Sequence, residues 1–142
     1  MNPEDYVSYP LALALKKAGF DEPCHYGYSV KMRLEPEISF GDPKMVHSKT
    51  PKNYNDNRKG IAKGLEFCSA VPLWQAQKWL RERKKLHCQV LLNGVRTMYF
   101  WQIRELVGNG KHAESKHQYE IYEDALSDCL KAALKLLDNE KE

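Results

Sequence analysis

No run of apolar residues in this chain approaches the roughly 18 that a helix needs to cross a bilayer. Its four cysteines, Cys24, Cys68, Cys88 and Cys129, form no Cys-x-x-Cys pair. The phosphate-cradling loops are missing too. Gly108-Asn109-Gly110-Lys111-His112 lacks the GxxxxGK[ST] spacing, Ala113 breaks a GxGxxG reading, and no Lys-Ser/Thr follows Gly60 and Gly64. Those absences exclude a membrane-spanning helix and nucleotide binding of these two kinds. Charge of one sign is scarce as well: 22 Lys and Arg against 19 Asp and Glu leave a formal charge of +3, whereas a dedicated nucleic-acid binder is usually more basic. Met1-Asn2-Pro3-Glu4-Asp5 is acidic and no apolar run follows a basic start, so no signal peptide, a cytoplasmic location and reduced thiols are expected.

What is present is an ordinary globular composition, 42% hydrophobic and 29% charged. The length of 142 residues fits one domain, and a domain of that size buries roughly 70% of its unfolded surface without help from disulfides or metal. Residues 8–18 read as a short helix, with Pro10 in its first turn and Gly19 where a left-handed cap belongs. Tyr26, Tyr28, Val30, Met32 and Leu34 alternate with Gly27, Ser29, Lys31 and Arg33, the pattern of a half-buried strand. A long irregular basic loop is expected over about 35–68, rich in Pro and Gly and carrying Lys44, Lys49, Lys52, Arg58, Lys59 and Lys63.

A second helix is expected from near Ser69 to about Lys85, then strands 87–92 and 95–104 about an Asn93-Gly94 hairpin turn. A turn at Gly108-Lys111 and a short strand at 115–119 lead to a last helix over about 122–137. Its expected apolar face is Tyr122, Ala125, Leu126, Cys129, Ala133, Leu136 and Leu137, with Lys131 and Lys135 late on the opposite face, as the helix dipole prefers. The expected class is α+β: one antiparallel sheet of three or four strands with three helices mainly on one face, in a single domain spanning 1–142.

Candidate chemistry is thin. Cys24-His25, Cys68, His87-Cys88, His112 and His117 offer soft ligands, but adjacent Cys-His pairs do not readily ligate one zinc, and the plainer reading places these side chains in the core or in loops. No Cys or Ser is set beside a His by any spacing that selects a nucleophile, and no carboxylate pair stands out. No metal and no cofactor are expected. The best candidate surface is one face of the second helix, Trp74 with Lys78, Arg81 and Lys85. There an indole could stack on a base while the cations meet phosphates, or the same residues could anchor a protein partner. The plainer reading is a packed Trp74 among solvated charges.

Three stretches, Tyr9 to Cys24, Ser69 to Arg81, and Tyr122 to Leu126 with Ala132 to Leu137, resemble a group of small uncharacterised proteins of phages and prophages of gut bacteria. That resemblance covers about a third of the chain and implies a context without an activity. Proteins of this look often carry Ser or Thr before the last helix. Here Ile121 stands instead, at a cost of about 1 kcal/mol in capping. A looser likeness is to the double-stranded RNA-binding fold, whose helix, three strands and helix match 72–137 in order. Glu120, Glu123 and Asp124 occupy the place where that fold needs cations, so the likeness concerns topology alone. The function expected is non-catalytic: a phage- or prophage-type accessory protein that binds a protein partner or itself, with nucleic-acid binding as the alternative and no membrane partner.

Overall fold

The computed structural model describes residues 2–33, 35–56, 65–95, 97–108 and 112–140. The α+β class holds, with two antiparallel sheets where one was expected. The described residues gather into two compact units, 7–71 and 1–6 with 72–142.

In the first unit, helix α1 (Tyr9–Ala18) starts at Ser8 with Pro10 in its first turn and ends on Gly19 at φ +100°. Only glycine adopts that value freely, and the Gly19 N–H caps the carbonyls of Leu15 and Lys16. Strand β1 (Cys24–Arg33) pairs antiparallel with β2 (Ser39–Phe40), β3 (Lys44–Lys52) and β4 (Leu65–Ser69). The region expected to be an irregular loop therefore supplies most of a sheet. Among the described residues Gly41 and Pro43 fall between β2 and β3, Pro51 lies within β3 itself, and Lys44, Lys49 and Lys52 lie on that exposed strand. Arg58, Lys59 and Lys63 lie outside the described residues.

A bulge between Cys24 and Tyr26 interrupts the expected alternation along β1, and the buried positions are Cys24, Gly27 and Val30, the last two on opposite faces of the strand. Gly27 is buried because the ring of Tyr54, itself 4% exposed, occupies the space beside its Cα. A methyl group there would come within 2.5 Å of that ring. The Tyr54 hydroxyl donates to the carbonyl of His25 at 3.2 Å, and Asn55 ties the same loop to Phe20 O and Ser69 N–H. Val7, Leu11, Leu15 and Phe20 join Val30, Tyr54 and Cys68 in this unit's core. Lys16 Nζ holds α1 to β4, donating to Phe67 O at 2.9 Å and pairing with Glu66 at 3.6 Å.

The second unit has the expected order of helix, three strands and helix. Helix α2 (Leu73–Arg83) follows its N-cap Pro72 and starts four residues later than read from sequence, because Ser69 belongs to β4. Leu73, Ala76, Trp79 and Leu80 form its buried stripe, as the spacing predicts. Strands β5 (Leu86–Asn93) and β6 (Met98–Glu105) pair in full register from Leu86↔Glu105 to Asn93↔Met98. Asn93 is thus a strand residue, and the connection is 94–97. Among the described residues of the loop the left-handed position falls on Thr97 (φ 51°), whose N–H donates to Asn93 O at 3.0 Å.

Strand β7 (His112–Glu114) replaces the one expected at 115–119, of which a single bridge, Tyr99↔Tyr119, remains. Helix α3 (Tyr122–Glu140) runs one turn longer than expected. Leu130 and Leu134 are buried on it, whereas Leu136 is 37% exposed. Along β5 and β6 the buried residues Leu86, Cys88, Trp101 and Ile103 recur at alternate positions, so α2 and α3 cover the same face of this sheet.

Replacing Gly27 with Ala is expected to lower unfolding free energy by about 1–3 kcal/mol, as overpacking does. Urea denaturation followed by circular dichroism measures it. The Tyr54→Ala change should remove most of that penalty in the double variant, a non-additivity that a remote effect would not produce.

Candidate functional site

Trp74 lies on the first turn of α2, 63% exposed, beside the buried residue Leu73. Helical spacing sets Lys78 and Arg81 within about 60° of arc on the same face. Lys78 is exposed and Arg81 half-buried. Lys85 is not part of that face: it follows the cap residue Lys84, outside the helix, at φ 58°. Its carbonyl accepts the Leu106 N–H at 2.8 Å, which ties the end of α2 to the end of β6. Three of the four residues singled out from sequence are therefore brought together and the fourth is not.

The residues that share a concavity with Trp74 are different ones. A cleft of about 350 Å³ opens between the starts of α2 and α3, with Tyr6, Leu73, Trp74, Tyr122 and Leu126 as its apolar and aromatic walls. Its charged groups are Asp5 and Glu123, both acidic. Each wall has a local cause. A 3-10 turn at Pro3–Asp5 delivers Tyr6 to a β-bridge with Pro72, the residue that starts α2. Tyr122 opens α3 and is braced edge-on by Tyr99 of β6, with ring centroids 5.5 Å apart at 89°. Ile121, where a capping side chain would otherwise stand, is 50% exposed beside it. Tyr6 and Asp5 carried no sequence signal, since only the bridge to Pro72 brings them to α2.

Geometry does not favour nucleophilic chemistry. All four cysteines are buried. Burial pushes the thiols of Cys24 and Cys68 up to about 11, the reverse of an activated thiolate. The Cys129 thiol is raised as well, first by its hydrogen bond with Cys88 and then by burial. Among the described residues no group of three or more His, Cys, Asp and Glu side chains is placed to hold a metal ion. Among them, too, no helix is long and apolar enough to cross a membrane.

The thiols should therefore react slowly with a disulfide reagent at neutral pH in the folded protein, and fully once urea is added. A burst from any one of them in the native state would contradict the burial described. Because the folded pKa of Cys24 and Cys68 lies above the unfolded value of 9.0, their contribution to stability is complete below about pH 9. It is lost as the pH rises toward 11, so the urea midpoint should fall across that interval.

No family model, no curated protein and no solved structure matches the chain.

Proposed function

We propose that this chain is a non-catalytic accessory protein that acts as a protein-interaction module, and that the Trp74 cleft receives a segment of a partner protein carrying apolar and basic side chains. One observation carries the reading: a largely exposed indole stands at an aromatic-walled cleft whose charged groups are both carboxylates. Exposed Trp and Tyr with a polar rim is the usual make-up of an interface anchor, since these rings bury large area at low cost in side-chain entropy. Asp5 and Glu123 repel a phosphate and attract Lys or Arg. The phage- or prophage-type context is proposed from the resemblance of the helical stretches alone.

Nucleic-acid binding remains the second reading because Trp74, Lys78 and Arg81 share one face of α2, where stacking and phosphate contact could combine. The acidic groups of the cleft that Trp74 lines count against it.

Selection of a random linear peptide library on the immobilised protein separates the two. Peptides pairing aromatic or aliphatic residues with Lys or Arg are expected, with binding lost in Trp74→Ala and weakened in the Asp5→Asn/Glu123→Gln double variant. Anisotropy with labelled single-stranded DNA, duplex DNA and duplex RNA at two salt concentrations is the counterpart. Salt-sensitive binding lost in Trp74→Ala and Arg81→Glu, with no peptide selected, would overturn the interaction module in favour of nucleic acid.

A further inference from the structure

A second cleft, of about 380 Å³, opens in the same unit as the Trp74 cleft but is built from β6, β7, the 115–119 segment and the middle of α3. Its floor is fixed by hydrogen bonds. The Trp101 indole N–H donates to the Tyr119 hydroxyl at 3.4 Å, and that hydroxyl donates to Asp128 Oδ2 at 2.7 Å. Burial, and then this bond to Asp128, hold the Tyr119 phenol above its ordinary value, so it stays a donor.

The 115–119 segment is pinned to β6 at both ends. Ser115 N–H donates to Trp101 O at 2.9 Å while Ser115 Oγ accepts the Trp101 N–H at 3.2 Å. Tyr119 exchanges two backbone bonds of 2.7 Å with Tyr99. Lys116 and His117, between those anchors, are thereby placed on the rim.

Across from them stand Lys131 and Lys135 of α3. They are one helical turn apart, a like-charge spacing that disfavours a helix. The helix dipole does not account for them, because α3 continues to Glu140 and neither is in its last turn. Among the described residues no carboxylate forms an ion pair with Lys116, Lys131 or Lys135. The acidic groups of the cleft are Glu114 and Asp128, and Asp128 is engaged by Tyr119. The two clefts of this unit thus differ in sign: carboxylates alone in one, three lysines and a histidine against two carboxylates in the other.

We propose that the second cleft is a binding site for a small phosphomonoester on a hydroxylated scaffold, a sugar phosphate or a mononucleotide. Lys116, Lys131 and Lys135 line one cleft, so a dianion bound there would meet ammonium groups from both walls and relieve the Lys131–Lys135 repulsion. Glu114 and the remaining oxygen of Asp128 accept from ligand hydroxyls, and the Trp101 edge supplies an apolar wall. The volume lies at the small end of ligand sites, which admits a ligand of that size and excludes a large cofactor. Nothing in this proposal depends on what occupies the Trp74 cleft.

Heteronuclear NMR of the full chain tests it, titrating adenosine monophosphate and ribose phosphate against adenosine and ribose as unphosphorylated controls. The expected result is a saturable shift of the Trp101 indole N–H and of amides in 115–119 and 131–135 with a phosphorylated probe only. Replacing both Lys131 and Lys135 with Gln should weaken that binding by about tenfold or more, as loss of charge-assisted hydrogen bonds does, and Trp74→Ala should leave it unchanged. No saturable shift at millimolar probe, equal shifts with the unphosphorylated controls, or binding of oligonucleotides alone would each overturn the assignment. The lysines are exposed, so the double variant is expected to give the wild-type spectrum away from the cleft.

Discussion

Strand β1 is the member of its sheet to which every other strand is hydrogen-bonded: β2, β3 and β4 all pair with it. The whole of the 7–71 unit depends on that arrangement. A strand with partners on both edges must be flat enough to be approached and covered, and the close approach happens at Gly27, where the Tyr54 ring takes the space a side chain would need. From that contact follow the position of the 53–56 turn, its hydrogen bonds to Phe20 and Ser69, and the closure of the core over α1. Removing β1 would leave β2, β3 and β4 with no pairing among themselves in the described residues.

In the other unit the organising feature is register. β5 and β6 run paired over their full length, so the side-chain period of two directs Cys88, Trp101 and Ile103 toward the helices without a break. The helices then lie with their N-terminal ends beside one cleft and the middle of α3 beside another. Charge sorts the two clefts. Glu123 at the first turn of α3, with Asp5 of the 3-10 turn, gives the Trp74 cleft its sign, and lysines two and three turns further along the same helix give the second cleft the opposite one. A single helix thereby serves two sites of different chemistry.

Much of this was legible in the residues. Pro10 and Gly19 bounded α1, the Leu73-Ala76-Trp79-Leu80 stripe gave the buried side of α2, and the α+β class followed from the order of elements. What was not legible has physical causes. A stretch dense in Pro, Gly and Lys reads as loop, yet β3 is an exposed strand that pairs with β1, and its Lys52 ammonium lies 4.9 Å from the centre of the Tyr54 ring. The Asn93-Gly94 pair marked the hairpin correctly but not its length, because Asn93 pairs with Met98 and, among the described loop residues, Thr97 is the left-handed one. Of the residues lining the candidate cleft, Trp74 was singled out by spacing, whereas Lys78 and Arg81, singled out with it, do not line the cleft. Asp5, Tyr6 and Tyr122 were not singled out, since they reach Trp74 through a bridge and a helix start that no local pattern encodes. Lys131 and Lys135 were seen, but an end that falls at Glu140 changes what they mean.

The aromatic residues are divided unevenly between the units. All three tryptophans, Trp74, Trp79 and Trp101, belong to the 72–142 unit, while the 7–71 unit carries tyrosines, phenylalanine and histidine. Indole emission is therefore a private signal of one half of the chain. It registers events at either cleft, through the exposed ring of Trp74 or the hydrogen-bonded ring of Trp101, and it is silent about whether β1 still holds its sheet together.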